Sequence, residues 1–119
     1  MLNNLVLVGR LVETPVVKLL ENGQPYASIT LAVVRGYKNV EGDYDTDFIR
    51  CTLWEGIAEA TAEYCKKGSV IGIKGRLITR PNEVTFTKDD EVFKKTIRSL
   101  EIVAERVSFI SSKKEETIN

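Results

Sequence analysis

Hydrophobic and polar residues alternate with a period of two along most of this chain, and side chains of a strand point alternately to opposite faces. Residues 4–12, rich in Val and Leu with Gly9 inside, read as a first strand. Thr14-Pro15 breaks the pattern, residues 16–20 resume it, and Glu21-Asn22-Gly23 is a turn signal. Residues 26–34 place Ile29, Leu31 and Val33 on one face and Ser28, Thr30 and Ala32 on the other. Residues 35–44 read as a long polar hairpin loop that carries Tyr37 toward the side of Phe48. In residues 47–54, Ile49, Cys51 and Leu53 form an apolar face opposite Phe48, Arg50, Thr52 and Trp54.

The period then changes. Over residues 56–67, Ile57, Ala60, Thr61 and Tyr64 share one side of a helix, with Lys66 and Lys67 in its last turn and Gly68 as its stop. Residues 69–79 return to strand, with Ile71, Ile73, Gly75 and Leu77 making its apolar face and Lys74, Arg76 and Arg80 on the opposite one, interrupted only by Ile78. Residues 81–99 predict a protruding hairpin with a charged Lys88-Asp89-Asp90-Glu91 tip, and residues 100–110 a last strand. The expected fold is mainly all-β: a five-stranded OB-fold Greek-key barrel with one helix between strands 3 and 4. The predicted domain spans residues 1–110, and 111–119 form a short flexible tail.

Composition narrows the class. With 43% hydrophobic and 29% charged residues, and no apolar run near the ~20 residues of a membrane span, one soluble domain without a membrane is expected. The N-terminus lacks a signal-peptide layout, so the expected location is the cytoplasm. Cys51 and Cys65 sit in no metal-ligand spacing and read as free thiols. There is no histidine, no phosphate-binding glycine loop and no nucleophile motif, so neither catalysis nor a cofactor or metal is expected.

Formal net charge is zero, but its distribution is uneven. Residues 51–80 hold five cations (Lys66, Lys67, Lys74, Arg76, Arg80) against three acids (Glu55, Glu59, Glu63), and those acids lie on the helix. Phe48, Arg50 and Trp54, aligned without an acid between them, suit a surface that stacks flat rings and holds phosphates. Arg10, Arg35, Lys38, Arg50, Lys74, Arg76 and Arg80 are the candidate phosphate contacts, since Arg can both bridge phosphate oxygens and stack on a base. Each has a plainer reading: Phe48 and Trp54 as core aromatics, Tyr37 as an idle loop tyrosine, and the cations as a solvated face. Tyr44 reads as structural.

Several blocks carry a specific resemblance. Asn4-Leu5-Val6-Leu7-Val8-Gly9-Arg10-Leu11, Ile29-Thr30-Leu31-Ala32-Val33, Phe48-Ile49-Arg50-Cys51-Thr52-Leu53-Trp54, Ala58-Glu59, Tyr64-Cys65-Lys66-Lys67-Gly68-Ser69 and Gly75-Arg76-Leu77-Ile78-Thr79-Arg80 occur in order, and together the sequence resembles the bacterial single-stranded DNA-binding protein family. The resemblance covers most of residues 1–80 and resumes over 100–109. It implies an OB-fold protomer, usually a homotetramer with a dimer as the alternative, that coats nucleoid single-stranded DNA in replication, recombination or repair without sequence preference. It further implies base stacking on Tyr37, Phe48 and Trp54. Where family members present another aromatic after the Thr79-Arg80 block, this chain has Pro81-Asn82, so that platform is either absent or displaced to Phe86 or Phe93. The sequence ends Lys113-Lys114-Glu115-Glu116-Thr117-Ile118-Asn119, without the family's acidic tip, which implies lost partner recruitment or a short form of the kind phages and mobile elements carry. The rival function is a primosome-type OB module working through protein contacts. RNA as the bound strand stays open.

Overall fold

The outline is elongated, 62 × 48 × 35 Å, because one two-stranded ribbon runs well past a closed barrel. A computed structural model describes residues 1–111; the predicted tail lies, beyond Ser111, outside the described residues. The elements are β1 (Leu5–Leu11), β2 (Lys18–Leu19), β3 (Pro25–Lys38), β4 (Tyr44–Trp54), α1 (Glu55–Tyr64), β5 (Val70–Lys88) and β6 (Glu91–Ser111). The strands lie in the order β1-β5-β6-β4-β3-β2, and β1 also pairs with β3. That second pairing closes the barrel around β1, β3, β4, β5 and β6, with β4 and β6 parallel and β2 outside. The expected five-stranded barrel is present, with α1 between its third and fourth strands.

The core follows the alternation. Leu11, Ala27, Ile29, Leu31, Cys51, Leu53, Ile71, Ile73 and Ala104 are buried from the barrel strands, and Ala58, Thr61 and Cys65 from the helix and its exit. Thr61 is tolerated there because its hydroxyl donates to the Ile57 carbonyl at 2.7 Å. Both cysteines are free and buried. Gly9 and Gly75 sit where strands cross closely: a Cβ on Gly9 would lie 2.8 Å from the Ala32 carbonyl oxygen, and one on Gly75 would run into the Val103 carbonyl.

The structure corrects four boundaries. Residues 35–44 are not one loop: β3 continues to Lys38 through a register shift after Val34, and only the turn at 39–43 is irregular, closed by Asn39 Oδ1 accepting from the Glu41 and Asp43 amides. The helix stops at Tyr64, not Lys67, because Cys65 turns extended to reach the core; Lys66 and Lys67 fall outside it. Gly68 (φ 92°) then serves a turn, in which the Ser69 amide donates to the Lys66 carbonyl. Of the strand expected at 16–20, only Lys18–Leu19 pairs. The 81–99 hairpin is continuous with its flanking strands, so β5 and β6 are single strands paired from Val70↔Ser111 to Lys88↔Glu91. Asp89 and Asp90, both at positive φ, close it, as a two-residue turn of type I′ requires.

Candidate nucleic-acid interface

The outward face of β4 is built by its register with β3. Phe48 stands opposite Ala32, Arg50 opposite Thr30, Thr52 opposite Ser28 and Trp54 opposite Tyr26. Across β4's other edge, Thr52 is level with Val103 of β6, and Val103 with Arg76 of β5, so Arg76, Thr52 and Ser28 occupy one row. Ala32 and Thr30 on β3 leave Phe48 and Arg50 of β4 uncovered. Phe48 is 68% exposed, whereas Trp54 is half-buried against Tyr26, with ring centroids 5.6 Å apart and planes at 37°. The two aromatics lie six residue steps apart along the strand, about 20 Å at the usual rise.

A cavity of about 490 Å³ lies over this face, lined by Leu20, Tyr26, Ser28, Arg50, Thr52, Trp54, Arg80 and Glu101. A second, of about 310 Å³, continues onto the ribbon through Arg50, Thr52, Arg80, Asn82, Ser99, Leu100 and Glu101. Asn82 donates to the Ser99 hydroxyl at 2.6 Å and Arg80 Nε to Glu101 Oε1 at 3.0 Å, which ties β5 to β6 where the ribbon leaves the barrel.

The sequence-predicted residues do not all converge. Trp54, Arg50 and Arg80 share the first cavity with Thr52 and Ser28, and Arg76 stands in the row of those last two. Tyr37, 66% exposed, and Lys38 belong to the far end of the β3–β4 hairpin, where Lys38 Nζ lies 5.8 Å from the Tyr44 ring centroid. Arg35 is bound up there: its Nε and Nη2 donate to Asp47 at 2.9–3.3 Å and Nη1 lies 3.8 Å from Asp45. That pairing raises the Arg35 pKa and holds the Asp47 carboxyl below the usual carboxylate range. Arg10 donates to the Gly68 carbonyl at 2.6 Å, and Lys74 stands between Val6 and Arg106 on another wall of the barrel. Phe86 and Phe93 stack on each other near the ribbon tip, 5.4 Å apart, with no wall shared with Trp54.

Two groove residues escaped the sequence reading. Tyr26 has the same alternation as Ser28, but only its pairing with Trp54 places it at the site. Glu101 sits in a mostly apolar strand and becomes a groove residue through the parallel β4–β6 contact. Among the described residues, no group of three or more His, Cys, Asp or Glu side chains could hold a metal, and no helix is long and apolar enough to cross a membrane.

The family model described as the single-strand binding protein family matches residues 2–110. The chain belongs to this family. Among its relatives in this single-strand binding family, single-stranded DNA-binding protein B of Bacillus subtilis is 38% identical over 116 residues, covering 98% of this chain and 96% of that protein. The single-stranded DNA-binding protein of Oceanobacillus iheyensis is 41% identical over 113 residues, and there the matched region is 95% of this chain but 66% of the relative. In structure, the Plasmodium falciparum SSB solved in complex with single-stranded DNA superposes with a TM-score of 0.72 at 24% identity, covering 93% of this chain and 96% of that one, a likeness of fold.

Proposed function

We infer that this chain binds single-stranded DNA without sequence preference and without catalysis, coating strands exposed in replication, recombination or repair at the nucleoid in the cytoplasm. The observation that carries the reading is the outward face of β4, where Phe48 and Arg50 stand exposed beside Ala32 and Thr30, while Trp54, half-buried against Tyr26, lines with Arg50 the groove that runs on to Arg80 and Glu101. Bases stack on Phe48 and on the Tyr26–Trp54 pair, with Tyr37 further along the β3–β4 hairpin, while Arg50, Arg76 and Lys38 follow the backbone. Duplex DNA hides its base faces and forfeits the stacking contribution. Domain limits of 1–110 agree with this role, since they take in every groove-lining residue from Leu20 to Glu101.

Assembly into a homotetramer or dimer fits the outer face of β1, where Val6 is 71% and Val8 52% exposed beside Gly72 and Ile110. Several protomers on one strand raise avidity without new contacts.

Trp54 is the single tryptophan, so its fluorescence tests the reading directly. Titration with an oligothymidylate is expected to quench it strongly, duplex DNA weakly, and both less at high salt. Absence of single-strand binding at low salt, by fluorescence and by an independent separation assay, would overturn the function.

A further inference from the structure

A carboxylate is out of place in a groove meant for a polyanion, yet Glu101 lines both groove cavities together with Arg50, Thr52 and Arg80. Its Oε1 accepts from Arg80 Nε at 3.0 Å. Its Oε2 is shielded from solvent and has no hydrogen-bond partner among the described residues. The Glu101 side chain is 26% exposed and that of Arg80 52%, so the acid sits deeper than the base that answers it.

Resting on the strand-binding reading above, we infer that Glu101 is a specificity-determining residue of the groove: it withholds Arg80 from phosphate, so that the space around the pair takes bases, and phosphates fall to Arg50 elsewhere on the same walls and to Arg76 and Lys38 beyond them. The physical reason is twofold. A phosphate placed near the pair gains from Arg80 and loses to Glu101, and at similar distances the two Coulomb contributions cancel. Arg80 Nε is also already used, which closes the side-on fork by which a guanidinium grips an oxyanion with two parallel bonds. A neutral base meets neither obstacle. The Tyr26–Trp54 pair lines the same 490 Å³ cavity and offers it a stacking surface.

The test is the salt dependence of binding to an oligothymidylate for the full chain, for Glu101→Gln and for the double variant Glu101→Gln/Arg80→Gln. Freeing Arg80 adds one neutralised phosphate, so Glu101→Gln is expected to steepen the slope of log K against log salt by about 0.7 and to tighten binding roughly eightfold near ~50 mM salt. The double variant is expected to return the slope to that of the unaltered chain. An unchanged or shallower slope for a Glu101→Gln protein with unaltered circular dichroism and oligomeric state would overturn the assignment. Nitrogen-15 NMR of the unaltered chain decides the matter should the variant fail to fold. The Arg80 Nε–H resonance is expected to stay put when the strand is added, and its transfer to a phosphate, seen as phosphorus coupling, would overturn the proposal. Failure of the unaltered chain to bind any strand would remove the functional reading and this assignment together, whereas binding with the wrong slopes removes the assignment alone.

Discussion

Tyr26 and Trp54 face each other across β3 and β4, and their rings touch at 5.6 Å between centroids. Trp54 is thereby held at the mouth of the groove as it ends β4, where its extended backbone also caps α1. Replacing either ring with alanine is expected to cost about 1–3 kcal/mol of single-strand affinity, and the double replacement less than the sum, because the two act as one stacking surface. Phe48 stands about 20 Å away beside Ala32. Its replacement is expected to add to that of Trp54 within about 0.5 kcal/mol. Oligothymidylate binding isotherms of the single and double variants check both statements.

The barrel closes only where two glycines let backbones approach. Gly75→Ala and Gly9→Ala drive a methyl group against the carbonyls of Val103 and Ala32, so each is expected to destabilise the fold by roughly 1–3 kcal/mol. Gly36→Ala, with nothing within 4 Å of the added carbon, is expected to stay within about 0.5 kcal/mol. Urea unfolding midpoints at constant slope distinguish them.

The ribbon turn is strained. Asp89 and Asp90 hold φ of 53° and 63°, a region that disfavours residues with a Cβ. Asn-Gly in their place is expected to stabilise the arm by about 1 kcal/mol, visible as slower amide hydrogen exchange in the outer ribbon with little change in the barrel.

Burial pushes the Cys51 thiol up to about 11. The folded chain therefore keeps a proton that the unfolded chain releases near pH 9. Cys51's contribution to stability is complete below that pH and is lost as the pH rises toward 11, by about 2–3 kcal/mol in all. Unfolding free energies of Cys51→Ala and the unaltered chain, compared at pH 8 and at higher pH, should converge across that window. Thiol reagents should react with Cys51 only at the rate of opening.

At the other end of the pH scale, Arg35 holds the Asp47 carboxyl below its usual range through their hydrogen bonds. A lowered folded value means that the pair stabilises the β3–β4 hairpin above the ordinary carboxylate range, and that this contribution disappears as the pH falls through the lowered one. The Arg35 Nε–H chemical shift should move toward that of a free guanidinium over that interval, whereas in Asp47→Asn it should show no such carboxyl-linked step.

The alternation of apolar and polar residues determined, by itself, the barrel strands, their inward faces and the outward set Phe48, Arg50, Thr52 and Trp54. Each of those faces is a property of a single segment, and period two reports it locally. The helix α1 was equally legible, though its end was not: Cys65 leaves the helix to fill the core, a demand made by the barrel rather than by the Lys-Lys-Gly that follows. The strand content of residues 35–38 was hidden because a polar sequence can extend a hairpin when its partner strand continues. Only the tertiary structure decided which outward residues meet. The register of β3 on β4 brought in Tyr26, the parallel contact of β6 with β4 brought in Glu101, and ion pairing with Asp47 and Glu101 gave two of the expected phosphate cations, Arg35 and Arg80, partners within the protein. Those are relations between segments distant in the chain, and no periodicity within one segment encodes them.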